Sequence, residues 1–360
     1  MTGPRATGAG TIRGGADVKV AVVGAGVVGL AASAALLDRG ADVVCLDRAG
    51  PMAERSTGSS RIFRLAHGSA DLVALARDAR AGWARWSEAA GRPLVRDVGC
   101  LVSGALTLEW TAVMLKAGAP YTMVGPDWPE LGLPVRRAPH VLLHDTTGGV
   151  IDAEATGAHL TARVGPALRT SLVYALEERG TGARVHTPDG PLDVDAVLIA
   201  AGAGTSPLAA EVGLYTPAGL AHHVRFTFAT RQAGPLRAWI DQSPGRLATY
   251  QHLAGPGRWS VGGLLDHAGV DWEAGRAEAT RMSREAVLGY VREHLDGVAP
   301  AVLDELYCTT VAGLGDGFHL RRRGPFTAVY GDNLFKFAPL LGDLLAAAVT
   351  EGTEDVVDYV

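Results

Sequence analysis

The stretch VKVAVVGAGVVGLAASAALLDRGADVVCLD, Val18 to Asp47, decides the fold of this 360-residue chain. Lys19 to Val23 reads as a short apolar strand, and Gly24-Ala25-Gly26-Val27-Val28-Gly29 fits the spacing G-x-G-x-x-G. Leu30 to Leu37 is rich in alanine and leucine and forms helix readily until Gly40 stops it. Val43 to Leu46 make a second strand, which Asp47 ends. Each part has a physical task. Gly24 permits the tight turn, Gly26 lets the backbone approach a pyrophosphate, and Gly29 lets helix pack on strand. The helix N-terminus offers N–H groups and the positive end of its dipole to phosphate. A carboxylate roughly 20 residues past the glycines accepts from ribose hydroxyls. The unit therefore predicts an adenine dinucleotide site.

A competing reading comes from the same residues. Val20 to Leu37 carries no charge, basic residues precede it, and Ala32-Ser33-Ala34 resembles a signal-peptidase site. That pattern also fits an export signal or a membrane span. A span has no use for three glycines in this register, nor for the strand and carboxylate that follow.

Length allows two domains, or one large α/β domain with an insertion. A net charge of -5 leaves no basic footprint, which argues against a nucleic-acid partner. Three cysteines, Cys45, Cys100 and Cys308, do not make a disulfide framework, so a reducing cytoplasm is expected. Residues 1–16 are rich in Gly, Thr and Ala and are expected to be disordered. No metal site is expected.

Beyond Asp47 the pattern alternates. Pro51 to Ser60 is a polar loop. Asp71 to Ala90 has a helical pattern in which Trp83 and Trp86 read as core. Leu94 to Leu106 suggests strands around Gly99 and Gly104, and Glu154 to Leu168 a helix. Leu172 to Arg179 fits strand or helix equally. Val194 to Ala201 is an apolar run ending at Gly202 and Gly204, which suits a strand buried on both faces. Two-residue alternation in His222 to Thr230, with strands near Leu247 to His252 and Arg258 to Leu264, predicts an antiparallel sheet. Glu273 to Leu295 and Gly342 to Val349 read as helices.

At Arg61-Ile62-Phe63-Arg64-Leu65-Ala66-His67-Gly68 the chain resembles the segment after the first flavin contact in monomeric sarcosine oxidase, N-methyltryptophan oxidase and pipecolate oxidase. These belong to the wider D-amino acid oxidase and glycine oxidase superfamily. Asp195 to Gly204 resembles that superfamily's second flavin-domain strand. Cys308, ten residues before Phe318, matches the spacing at the flavin-linking cysteine. Tyr330 to Asp343 resembles the segment carrying the substrate-binding lysine. The similarity runs from about residue 18 to 350, strongest at its two ends.

The resemblance implies an α/β chain with a Rossmann-like FAD-binding domain of the glutathione-reductase type and an inserted antiparallel-sheet substrate domain. The expected FAD-binding pieces are 17–85, 141–215 and 308–360, and the substrate domain 86–140 and 216–307. It implies FAD held by Gly24, Gly26, Val28, Gly29, Asp47, Arg48, Ser59, Ser60, Arg61, Gly202, Cys308 and Lys336. Cys308 would carry an 8α-S-cysteinyl link, Arg61 would lie near the flavin ring, and Arg64 with Lys336 would bind a substrate carboxylate. Two fixed cations suit a carboxylate, and arginine offers a planar fork. On spacing alone Arg61 and Arg64 could also be a solvated loop pair, Lys336 a snorkelling surface lysine, and Cys308 a small buried hydrophobe.

Departures from the family pattern fall on the substrate side. The lysine that assists reaction with oxygen corresponds to Ser260 here, with Arg258 the nearest cation in sequence. A family histidine corresponds to Thr57, and a tyrosine to Thr310. The expected activity is oxidation of the C–N bond of a carboxylate-bearing amine other than sarcosine, giving an imine and hydrogen peroxide. Arg61, Arg64, Lys336 and Arg258 are its candidate catalytic residues. The alternatives are a dehydrogenase with another electron acceptor and a non-catalytic flavoprotein. A small-molecule amine with oxygen as acceptor, no membrane partner, and a monomer or small homo-oligomer complete the expectation.

Overall fold

The computed structural model describes residues 18–232, 234–265, 271–352 and 356–359. The disorder expected for residues 1–16 falls outside them. Strand Lys19–Val23 is central to a seven-stranded sheet. It pairs in parallel with Asp42–Asp47 on one side and with Ala196–Ile199 on the other. Leu168–Thr170 extends the sheet beyond Asp42–Asp47. Phe326–Asp332, Gly317–Arg323 and Val356–Tyr359 extend it the other way, the last two antiparallel. Three distant stretches of chain thus build one sheet. The helix Val27–Asp38 carries no charge until Asp38, because its Val27–Leu36 turns are buried all round. The helix Ala338–Thr350 lies against it so closely that a Cβ on Gly342 would come within 2.8 Å of the Ala31 carbonyl oxygen. The Val20–Leu37 run is therefore a strand, a glycine turn and a buried helix. Among the described residues no helix is long and apolar enough to cross a membrane.

The second large sheet has eight strands, in the order Val298–Val311, Leu220–Thr230, Arg258–Leu264, Ala248–Gly255, Ala238–Gln242, Cys100–Gly104, Leu142–Asp145 and Tyr121–Val124. Its pairings are antiparallel except between Ala238–Gln242 and Cys100–Gly104. Apolar residues at alternate positions, such as Val224, Phe226 and Phe228, face the helix Arg276–His294 in a separate core with Trp239 and Trp259. The ambiguous Leu172 to Arg179 segment contains a strand, Ala175–Arg179, in a three-stranded antiparallel sheet with Gly182–Thr187 and Gly190–Val194. Trp83 and Trp86 lie on the helix Ala70–Ala89, where Trp83 is fully buried and its indole N–H donates to the Lys336 carbonyl at 2.7 Å. This core contact fixes the segment that bears Lys336.

Candidate active site

A cavity of about 900 Å³ runs along the carboxyl ends of Lys19–Val23 and Asp42–Asp47 and on toward the eight-stranded sheet. Gly24, Gly26, Val28, Asp47, Arg48 and Gly202 border one part of it. Gly24 has φ +106°, and a Cβ there would lie 2.4 Å from the Ala200 carbonyl oxygen. A Cβ on Gly29 would lie 1.9 Å from the Gly24 carbonyl oxygen, so Gly29 packs helix against turn from below. Gly26 has ordinary extended backbone, and a Cβ there would meet only the Ser56 hydroxyl, at 3.1 Å. Asp47 accepts from Ala25 N–H at 2.7 Å and from Ala49 and Gly50 N–H, which sets the shape of the turn. Arg48 is paired with Glu54.

Arg61 and Cys308 border the cavity. The Arg61 guanidinium donates to the carbonyls of Ser60, Arg55 and Thr57, folding the polar loop around itself, and lies over the Phe335 ring. Burial, then the neighbouring Arg225, lower its pKa to about 10, which leaves it a cation at neutral pH. Cys308 faces His223 across the pairing of Val298–Val311 with Leu220–Thr230, and its Sγ is 3.2 Å from His223 Nδ1. Burial raises the thiol pKa, while Arg61, Arg55 and Arg225 work against that rise. Burial also lowers His223 to about 4, so its ring is neutral and stacks on Tyr250. Cys45 is buried in the strand its sequence context predicts, and Cys100 is buried in the strand Cys100–Gly104.

Arg64, Trp110, Asp316 and Lys336 also line the cavity. Arg64 follows strand Ser60–Phe63, in a turn whose Leu65 and Ala66 N–H groups donate to the buried Asp145. Its guanidinium packs over the Trp110 ring, 4.5 Å from the centroid. Lys336 sits in the turn Leu334–Phe337 and is only 4% exposed. Both cations converge on one carboxylate. Arg64 donates to Asp316 Oδ2 at 2.6 Å, and Lys336 Nζ stands 3.6 Å from Oδ1. His67 lies among them, its pKa pushed well down by burial and then by Arg64 and Lys336. Its Nδ1 stands 2.9 Å from Arg64 Nη1 and 3.1 Å from Asp316 Oδ2, and its Nε2 3.4 Å from Lys336 Nζ. Solvated-loop and surface readings of Arg64 and Lys336 do not fit this burial.

Burial, then Arg64, lower the Lys336 ammonium from its ordinary value to about 7. Carboxylate binding favours its protonated form. Affinity for benzoate, a simple carboxylate, is therefore expected to fall as pH rises through about 7. Titration of benzoate affinity from pH 6 to pH 9 checks this, and the fall should disappear in Lys336→Met.

Other expected residues lie elsewhere. Ser60 is buried behind the cavity, bonded to His252 at 3.0 Å, and the Ser59 carbonyl accepts from Ala153 N–H. Neither borders the cavity. Arg258 starts its strand at the surface, with a side chain 45% exposed and 3.8 Å from Asp304, away from the cavity. Alternation does put residues 258 and 260 on one side, but Arg258 reaches solvent at the sheet's end. Ser260 is bonded to Thr227 at 2.9 Å. The cation the sequence missed is Arg225, which is buried, borders the cavity and donates to the Ser60 carbonyl. Among the described residues its Nε has no hydrogen-bond partner. Asp316, Trp110 and His223 were also missed, because only long-range pairing brings them here, and His67 was missed although it lies three residues from Arg64. Among the described residues, no cluster of three or more His, Cys, Asp or Glu could hold a metal ion.

The residues present fit FAD: a glycine turn with a carboxylate at one part of the cavity, and a half-buried arginine with a cysteine at another. The comparisons agree. The open form of NikD, an unusual amino acid oxidase essential for nikkomycin biosynthesis, superposes with a TM-score of 0.80 at 23% identity. It matches 94% of this chain and 95% of its own. L-Proline dehydrogenase from P. horikoshii superposes at 0.76 with 15% identity, covering 94% and 95%. Iminodiacetate oxidase from Chelativorans sp. BNC1 does so at 0.74 with 18%, covering 93% and 96%. At these identities the likeness is one of fold. No curated protein sequence matches. The family model described as DAO, FAD dependent oxidoreductase, matches residues 19–348, and the chain belongs to that family.

Proposed function

We propose that this chain is an FAD-dependent oxidase of a carboxylate-bearing amine, a secondary, cyclic or modified amino acid, within a sarcosine oxidase-like branch of its family. Bound FAD supplies the acceptor for the hydride that leaves the C–N carbon. The products are an imine and, with oxygen as electron acceptor, hydrogen peroxide. The observation that carries the reading is the convergence of Arg64 and Lys336 on a single carboxylate inside the cavity. Such a clamp fixes one end of an amino acid and so orients the carbon beside it. Trp110 over Arg64 keeps water from one face of that cation. Gly24, Gly26, Val28, Asp47 and Arg48 would hold the adenosine and pyrophosphate half, and Arg61 and Cys308 the ring half. A screen of amino and imino acids for oxygen uptake tests the proposal; turnover of amines lacking a carboxylate, and of no acid, would overturn it.

Covalent attachment through Cys308 is part of the proposal, with Arg61, Arg55 and Arg225 as the cations that favour its thiolate. Acid precipitation is then expected to leave flavin in the pellet and the chain heavier by one FAD. Cys308→Ala should release it into the supernatant without unfolding the protein. Wild-type flavin found wholly in the supernatant would return Cys308 to the role of a buried hydrophobe.

One observation favours a dehydrogenase as the second reading. The strand bearing Ser260 sends no cation into the cavity, and Arg258 points to solvent. Oxygen uptake compared with anaerobic dye reduction, on the same substrate, separates the two. Arg258→Met should leave either rate within about twofold of wild type, as for a surface ion pair. A large loss would return Arg258 to the site.

A further inference from the structure

The carboxylate that Arg64 and Lys336 share belongs to the protein itself. Asp316 presents Oδ2 to Arg64 and Oδ1 to Lys336, one oxygen to each cation, as a substrate carboxylate would. His67 and Asn333 hold the same group. Asp316 lies in Gly313-Leu314-Gly315-Asp316-Gly317, between strands Val298–Val311 and Gly317–Arg323. Gly313, Gly315 and Gly317 all have positive φ, at +71°, +70° and +127°. Among the described residues a Cβ on Gly313 or Gly315 would meet nothing within 4 Å, so none of them wedges the loop in place at these points. A second carboxylate cannot join the same two cations without repelling the first.

We infer that Asp316 is a built-in competitor for the substrate carboxylate: it holds Arg64 and Lys336 in the resting enzyme and leaves on its glycine loop when an acid binds. The inference rests on the carboxylate clamp proposed above and adds what sets its affinity. Asp316 makes the cavity selective, since only a ligand that meets both cations as well as Asp316 does displaces it. A neutral ligand gains nothing from the exchange.

Benzoate and benzamide binding to the purified holoenzyme, followed through the visible spectrum of the flavin, tests this. Asp316→Asn keeps the shape of the side chain, and Asp316→Ala removes it. A variant whose flavin content and melting temperature match wild type is informative. Benzoate should bind tenfold or more tightly in such a variant, while benzamide affinity stays as in wild type. Equal or weaker benzoate binding in the folded variants overturns the inference, as does an equal gain for benzamide. Arg64→Ala separates this from failure of the clamp. If it binds benzoate as wild type does, the clamp fails and the inference with it. If it loses benzoate while the Asp316 variants gain nothing, only the inference falls.

Discussion

Gly26→Val protein is expected to purify colourless and folded, whereas the wild type purifies yellow with one FAD. Gly26 is the one fingerprint glycine at which this separation is available. Gly24 has φ +106°, and a side chain there would overlap the Ala200 carbonyl. At Gly29 a Cβ would overlap the Gly24 carbonyl. Substitution at either breaks the turn itself. Gly26, with φ -69° and ψ 176°, accepts any residue in its backbone, and its Cβ would meet only the Ser56 hydroxyl. A valine there therefore fills space at the helix N-terminus, where the cofactor's phosphates are expected, and spares the sheet. The variant should also melt at a lower temperature than wild type, because it lacks the contacts that bound cofactor makes only with the folded chain. Circular dichroism and the ratio of visible to protein absorbance check both parts. Wild-type flavin content in the variant would remove the cofactor from this turn. A colourless wild type that binds nicotinamide nucleotides would remove FAD altogether.

That first unit was legible because its signal is local. Strand, turn, helix and strand occupy 30 consecutive residues, and Gly29 answers to a contact within the unit and Gly24 to one at the end of the neighbouring strand. The run ending at Ile199 was legible for a related reason: a strand buried on both faces has no polar face to confuse its pattern. The hairpins from Ala175 to Val194 were harder. Their residues alternate between half-buried and buried, and charges such as Glu177, Glu178 and Arg184 fit a helix face as well. The site divides in the same way. Arg61, Arg64, Cys308 and Lys336 each sit in a stretch that resembles the family, so their residue numbers could be read directly. Their partners could not. His223 meets Cys308 because two strands pair at a separation of 85 residues. Asp316 meets Arg64 across 252 residues, and its own segment reads as a glycine turn with no chemistry. Arg225 looked like any polar residue in an alternating strand, yet it is buried beside the cavity where Arg258 had been expected.

Arg64→Ala is expected to weaken binding of an acid substrate or of benzoate by about 1.5–3 kcal/mol, the range for hydrogen bonds to charged groups. That is roughly 10- to 150-fold in Kd. The structure gives reasons to expect the upper part. Arg64 is the shorter-range of the two clamp cations, with its Nη2 at 2.6 Å from the shared carboxylate against 3.6 Å for Lys336. Its removal leaves Asp316 with Lys336 alone, so the internal carboxylate still opposes an incoming one. Loss of Arg64 also removes the second-largest influence that holds the Lys336 pKa down. The lysine should then stay protonated to higher pH and retain part of the binding. These two consequences have different signatures. The first predicts that adding Asp316→Asn to Arg64→Ala recovers part of the lost affinity. The second predicts that the pH at which benzoate binding declines moves upward in Arg64→Ala. Benzamide, which carries no charge to pair, should be affected far less by any of these changes. Equal losses for benzoate and benzamide would mean that Arg64 serves the packing of Trp110 and the turn around Asp145, and that the acid is held somewhere else in the cavity.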